Sequence, residues 1–411
     1  MHGIKRNLEN KIQLLLKQFP VVAIVGARQV GKTTLAKRTT SNWQYFDLEN
    51  PRDYDRISYD PTFFLQQNKK HIVFDEVQEY PALLRCLRGT IDSQREQKGR
   101  FILTGSSSLD LLGNLSETLA GRIAIVEVGT LKANEYYQQP LSPLYEIFST
   151  KLNKEKLNLC KKPPLSITEI QHIWLQGGYP EPVLQNNQSF YNNWMENYRS
   201  TYVNRDIAKL FPRLNKLAFR NFLHILNKLS GTIINRSNLA RALEISEGSV
   251  RDYLKIVENT FIWRNLPSFE RNVIKAIIKM SRGFMRDSGL LHNFLRIDSQ
   301  EALYNDPIRG HSFEAFITEE LIKGVQATTV TNWQAHYYRT RGGAEIDLLL
   351  DGPFGLLPIE IKCATTIPPK QLTALTQFVI EHNLPFGMLI NQSEQITWLN
   401  QHVIQVGAGW I

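Results

Sequence analysis

The run Gly26-Ala27-Arg28-Gln29-Val30-Gly31-Lys32-Thr33 follows the apolar stretch Val21–Val25 and precedes Thr34–Thr39. That order constrains the fold more than any other feature of the chain. A buried strand must end in a loop whose glycines let backbone N–H groups curl around an anion. A helix must then begin with its positive end facing the same point. The spacing is GxxxxGK[ST], in which Lys32 is expected to reach the β- and γ-phosphates of a nucleotide and Thr33 to offer its hydroxyl to Mg²⁺. Gly26, Ala27, Arg28, Gln29, Val30, Gly31, Lys32, Thr33 and Thr34 are therefore the expected nucleotide-binding residues.

A second apolar run, His71–Phe74, ends in Asp75-Glu76. Two acids after a strand mean little alone, but about 45 residues beyond a phosphate loop they complete a hydrolytic site. Asp75 is expected to hold Mg²⁺, and Glu76 to polarise the attacking water as general base. Phe101-Ile102-Leu103-Thr104-Gly105-Ser106-Ser107-Ser108 is a further strand ending in small polar residues, from which Ser106 is expected to sense the γ-phosphate. Arg122, in Leu119-Ala120-Gly121-Arg122, is expected to stabilise transition-state charge, in cis or from a neighbouring subunit. A surface salt bridge is its plainer alternative. No NKxD guanine-reading motif is seen, which favours ATP over GTP.

Strands expected at Pro20–Gly26, Tyr45–Leu48, His71–Asp75, Phe101–Thr104 and Ile123–Val128 alternate with stretches long enough for crossover helices. The fold class this implies is α/β with an open, mainly parallel sheet. The 411 residues suffice for two to four domains. The expected boundaries are an ATPase core at 1–130, a helical extension at 131–215, a basic region at 216–290 and a mixed α/β domain at 291–411. No apolar run is long enough for a membrane-spanning helix. Three scattered cysteines, Cys86, Cys160 and Cys363, make no CxxC pair. A cytoplasmic protein without membrane contact is expected.

The segments VVAIVGARQVGKTT, HIVFDEVQEYPALL, FILTGSSS and LAGRIAIVEVGTL resemble the prokaryotic AAA-type P-loop ATPases of the AAA_14 kind. Gly177-Gly178-Tyr179-Pro180, Tyr202-Val203-Asn204-Arg205-Asp206-Ile207 and the C-terminal module extend the resemblance over nearly the whole chain. It implies a P-loop NTPase sheet of the additional-strand, catalytic-glutamate type, a helical extension, and ATP with Mg²⁺ as ligands. The chain departs from many relatives between Ile278 and Gly289, where the aromatic before Asp-x-Gly is displaced, and no role is carried onto that segment.

Charge is concentrated. Residues 201–290 hold 16 Lys+Arg against 7 Asp+Glu, and the rest of the chain balances at 32 against 32. Such a local excess suits an anionic polymer. Within it, Asn238–Leu254 reads as helix, tight turn, helix, with Leu239, Leu243, Ile245, Val250 and Leu254 as core and Ser246-Glu247 opening the second helix. Phe261–Leu266 follows as a wing strand. This resembles a winged helix, with Ser249, Arg251 and Lys255 facing the major groove of duplex DNA and Arg236, Arg241, Arg264 and Arg271 on phosphates. Winged helices also serve as protein adaptors, and Glu247, Asp252 and Glu258 count against DNA.

The tail carries Glu345-Ile346-Asp347 and, with twelve residues between Asp347 and Glu360, Glu360-Ile361-Lys362. Period two places Glu360 and Lys362 on one strand face. The spacing is similar to the PD-(D/E)xK core of restriction-endonuclease-like domains. Asp347 and Glu360 would hold a divalent metal, with Glu314 completing the site and Lys362 orienting water. Fold alone does not establish cleavage. The sequence thus points to an ATPase coupled to a basic winged helix and a nuclease-like module. An ATP-regulated DNA endonuclease and a nucleotide-switched adaptor are the rivals, and a homo-oligomer stays open.

Overall fold

The computed structural model describes residues 3–106, 117–159, 162–202, 207, 211, 214–270, 280–340 and 342–411. Cys160, Ser107, Ser108, the 203–206 part of the family-like segment, Arg271 and residues 278–279 lie outside them. The chain divides into two compact units, 1–131 with 259–261, and 132–258 with 262–411.

The first unit is built on strands β1 (Val21–Val25), β2 (Gln44–Asp47), β3 (Ile72–Asp75), β4 (Phe101–Gly105) and β5 (Ile123–Glu127). Their order is β2-β3-β4-β1-β5, and every pairing is parallel. Central strands in such a sheet are covered on both faces, so they read as unbroken apolar runs. All five residues of β1 are buried accordingly. Helices α1 (Glu9–Gln18), α2 (Lys32–Thr39), α3 (Pro51–Ser58), α4 (Pro61–Gln67) and α5 (Ala82–Asp92) accompany the strands. Asn50 and Asp60 cap α3 and α4 through backbone amides, each with proline at the first helical position. Because the strands are parallel, the loops after Val25, Asp75 and Gly105 all leave the same edge. In open α/β sheets that edge is where ligands bind.

The second unit contains two sheets. A three-stranded antiparallel sheet has the order β6-β8-β7, from Thr232–Ile233, Trp263–Leu266 (β7) and Arg282–Met285 (β8). Between β6 and β7 run helices α6 (Arg236–Leu243) and α7 (Glu247–Asn259). The tight turn joining them uses Glu244 in the left-handed region, and Ser246 Oγ accepts from Ser249 N at 3.0 Å. The six-stranded sheet is built from β9 (Gln334–Arg339), β10 (Glu345–Gly352), β11 (Gly355–Ile361), β12 (Gly387–Asn391), β13 (Thr397–Trp398) and β14 (Val403–Gly407) in the order β13-β14-β12-β11-β10-β9, with β10 and β11 paired antiparallel. Ile346, Leu349, Leu375, Phe378 and Leu389 form a core there. No described helix is long and apolar enough to cross a membrane.

Two segments picked out by resemblance meet in this unit. Gly178 N donates to Asp287 Oδ2 at 2.9 Å. Gly177 has φ 71°, and a Cβ there would collide with the Asp287 carboxyl. Nearby, the buried His292 takes Ser312 Oγ on Nε2 at 2.7 Å and faces Leu175 O through Nδ1 at 2.9 Å. Trp174 Nε1 donates to the same Ser312 oxygen. The Ser312 hydroxyl proton then points at Nε2, which fixes the neutral ring with its proton on Nδ1.

Burial pushes the His292 ring down to about 4, against the pull of the Leu175 carbonyl and Asp306. The folded state therefore binds its proton less readily than the unfolded chain. Stability from this group is complete above about pH 6.5 and is lost as pH falls toward 4, by about 3 kcal/mol. Urea unfolding at pH 7 and pH 4.5 should show this loss in the wild type and a smaller one in His292→Gln. Equal losses in the two proteins would contradict it.

Candidate nucleotide site and the acidic cluster

The loop after β1 is held by backbone geometry. Gly31 precedes α2 with φ 92°, where a side chain would be strained. Gly26 lies so close to Val128 that a Cβ would strike its carbonyl. The buried Arg6 clamps the loop from outside, donating to Val30 O at 2.9 Å and Gly129 O at 2.8 Å. Sequence reading missed Arg6, which carries no motif.

Lys32 is 4% exposed, and its Nζ donates to Ala27 O at 2.9 Å and Gly26 O at 3.2 Å. Burial lowers its pKa, while the charges of Glu76 and Asp75 act upward. Thr33 Oγ1 donates to Asp75 Oδ2 at 2.8 Å. Asp75, at the end of β3 and itself buried, also accepts from Tyr45 Oη at 2.5 Å and from Thr104 Oγ1. The loop threonine and the strand-end aspartate are thus in direct contact, as expected of residues sharing one cation. Hard hydroxyl and carboxylate oxygens are the donor set that suits Mg²⁺.

Glu76 stands just beyond, with φ 53° and ψ 52°, a left-handed backbone that is costly outside glycine. Its N–H donates to Thr104 Oγ1 at 3.2 Å, and its Oε2 accepts from Gln78 Nε2 at 2.5 Å. Thr104 therefore links the two acids. It lies one position beyond Leu103, which pairs with Phe74 across β3 and β4. Ser106, expected to sense the γ-phosphate, follows the end of this strand half-buried. Thr104 carried a signal, being a polar residue inside a wholly buried strand. Tyr45 gives its ring to Lys37, whose Nζ lies 3.6 Å from the ring centre. Burial and the neighbouring Asp75 raise the Tyr45 pKa.

Arg122 requires a correction. It precedes β5, and its carbonyl accepts from Val21 N at the opposite end of β1 from the phosphate loop. Along a strand that separation is about 13 Å. Its guanidinium is engaged by Asp92, Nε to Oδ1 at 2.7 Å and Nη2 to Oδ2 at 2.8 Å. Within its own chain Arg122 does not approach the nucleotide.

In the second unit Asp347, Glu360, Glu314 and Lys362 do converge. Lys362 Nζ lies 3.3 Å from Asp347 Oδ2 and 2.5 Å from Glu360 Oε1. The expected metal centre is nevertheless not formed, because the guanidinium of Arg282 stands among the carboxylates. Its Nη1 is 2.9 Å from Asp347 Oδ1 and its Nη2 bonds Glu314. No group of three or more His, Cys, Asp or Glu among the described residues is arranged to hold a metal ion. Burial and the nearby Asp347 push the Glu360 carboxyl up to about 8, with Lys362 opposing.

Arg264 is also committed, paired with the buried Glu319. Arg236, Arg241, Arg251 and Lys255 are exposed. Glu258 is drawn into a hydrogen bond with Asn265, and burial lifts its carboxyl to about 7.

Comparison with known proteins assigns three stretches. Residues 18–137 match the family model described as AAA domain (AAA_14). Residues 167–301 and 309–409 match domains of unknown function, DUF8612 and DUF4143 respectively. An uncharacterized protein of Mycobacterium tuberculosis is 29% identical over 412 residues, covering 99% of this chain and 84% of the relative. Among solved structures, a Walker-type ATPase of Pyrococcus abyssi aligns over 70% of this chain and 94% of its own, with 14% identity and a TM-score of 0.43. The RuvB Holliday junction branch migration motor of Thermotoga maritima aligns over 64% and 90%, with 14% identity and a TM-score of 0.31.

Proposed function

We propose that this AAA-type ATPase hydrolyses Mg-ATP at the edge of its parallel sheet and couples turnover to duplex DNA held by its basic middle region. The observation that carries the hydrolytic half is the convergence of Thr33, Asp75 and Thr104 beside Glu76. Lys32 swings from the loop carbonyls to the β- and γ-phosphates and offsets their charge. Thr33 and Asp75 would hold Mg²⁺, which would supply Lewis-acid neutralisation of the phosphate oxygens. Glu76 takes the proton of the water that attacks the γ-phosphorus, and ADP leaves with the bond to the γ-phosphoryl group broken. Thr104 is a positioning residue that fixes both acids.

Thr104→Val removes one charge-assisted hydrogen bond and the acceptor for Glu76 N–H. Each such bond contributes about 1.5–3 kcal/mol, so turnover should fall about 10- to 100-fold. Steady-state phosphate release measures it, and an unchanged rate would deny Thr104 the role.

The DNA half rests on the charge of residues 201–290 and on the exposed face of α7. Arg251 and Lys255 lie one helical turn apart there, opposite the buried Val250, Tyr253, Leu254 and Val257. Arg236 and Arg241 add exposed charge on α6. The order helix, turn, helix, antiparallel strands supports a winged-helix reading. A separate groove of about 790 Å³ lined by Arg199, Arg220, Lys228 and Arg296, with Glu196 as the opposing charge, adds to the cationic surface.

Fluorescence anisotropy with labelled duplex DNA over a salt series tests this half. Affinity should fall steeply as salt rises. The double variant Arg251→Ala/Lys255→Ala should reduce the slope of log affinity against log salt by about 2. Binding that is absent at low salt would turn the middle region into a protein-binding module.

A further inference from the structure

The acidic cluster of the C-terminal sheet has a resident that its sequence pattern does not foretell. Arg282 lies on β8, within the stretch matched to the middle domain family, and reaches into carboxylates of the C-terminal one. It is 5% exposed. Its Nε donates to Gly231 O at 2.6 Å, its Nη1 to Asp347 Oδ1 at 2.9 Å and its Nη2 to Glu314. Glu345 Oε1 lies 3.6 Å from Nη1. All three guanidinium nitrogens are thereby used.

The other Asp347 oxygen is spent as well. Oδ2 accepts from Ile361 N at 2.9 Å and from Lys362 Nζ at 3.3 Å. Of the carboxylates gathered here, Glu360 alone keeps a buried oxygen, Oε2, without a hydrogen-bond partner. A divalent ion needs open oxygen ligands at about 2.0–2.6 Å. Here the aspartate at its centre faces a guanidinium on one oxygen and an ammonium on the other. An arginine side chain keeps its charge at any ordinary pH, so it does not step aside by deprotonating. Its planar fork bonds two carboxylates at once, which a lysine cannot reproduce.

We infer that Arg282 is the resident cation of this site: it ties the sheet of the middle domain to the C-terminal domain and excludes the divalent ion that a nuclease of this architecture would require. The C-terminal module in this arrangement is an internal seat for an arginine and does not cleave nucleic acid. Arg282 also pairs with Ile233 on β6, the strand that leads into α6. The seat therefore anchors the base of the helix–turn–helix.

Mn²⁺ titration of the full chain without nucleotide, followed by the loss of the free-ion electron paramagnetic resonance signal, tests the assignment. The wild type and Asp347→Asn should give the same curve, with no site dependent on Asp347. Arg282→Ala should gain one bound Mn²⁺ per chain, and that gain should vanish in Arg282→Ala/Asp347→Asn. Arg282→Lys should stay without the added ion. Added Mn²⁺ should also raise the melting temperature of Arg282→Ala in proportion to the logarithm of its concentration, beyond any shift shared by the wild type and Arg282→Ala/Asp347→Asn. A wild-type site lost in Asp347→Asn would overturn the inference, as would a folded Arg282→Ala that takes up no Mn²⁺. If Arg282→Ala does not fold, the comparison of wild type with Asp347→Asn decides alone.

Discussion

Glu76→Gln should lower the steady-state rate of ATP hydrolysis by about 10²- to 10⁴-fold, the range spanned by a positioned general base, and leave nucleotide affinity within a few fold of wild type. The amide keeps the size of the carboxylate and loses only its basicity. The left-handed backbone at residue 76, anchored by its N–H to Thr104 Oγ1, and the hydrogen bond from Gln78 to the side chain hold the group where it is. The contrast with Lys32→Ala makes the result specific. Lys32 is the buried cation that meets the phosphates, so its loss should remove binding and turnover together. A fluorescent ATP analogue reports the affinity, and phosphate release reports the rate. A Glu76→Gln enzyme that turns over at the wild-type rate would move the base elsewhere.

Asp75→Asn should be nearly as damaging, with a different signature. The carboxylate accepts three hydroxyl protons, from Thr33, Tyr45 and Thr104. An asparagine offers one carbonyl oxygen and two N–H donors, so it cannot satisfy all three. It also removes a full negative charge from the Mg²⁺ site. Turnover should fall by about 10²- to 10³-fold, the cost of losing one preorganised electrostatic contact. The Mg²⁺ concentration for half-maximal rate should rise, which Glu76→Gln would not cause. A rate that falls with no change in Mg²⁺ dependence would remove Asp75 from the metal.

The parts legible in the sequence were those in which one stretch of chain fixes its own geometry. Strand, glycine loop and helix are contiguous at Val21–Thr39, and β1, β3, β4 and β5 appear as short apolar runs for the same reason. Asp75 was legible because it ends such a run. Contacts set by sheet order were harder to see. Thr104 meets Asp75 because β4 lies between β3 and β1, a fact absent from any local pattern. Arg122 was misplaced because nearness to a glycine says nothing about which end of the sheet a residue occupies. Its position just before β5 was the available clue, since a parallel strand begins far from the phosphate edge. Asp347, Glu360 and Lys362 were found by their spacing. Their partner Arg282 lies 65 residues from Asp347 and comes from a different sheet, so no periodicity connects them.

The central claim is that ATP turnover is coupled to DNA. The most direct test is the rate of ATP hydrolysis with and without duplex DNA, at low and near-physiological salt, with Lys32→Ala as the blank. The coupling requires DNA to stimulate the wild-type rate, the stimulation to fade as salt rises, and Arg251→Ala/Lys255→Ala to lose it while keeping the basal rate. A wild-type rate indifferent to DNA at every salt concentration would contradict it.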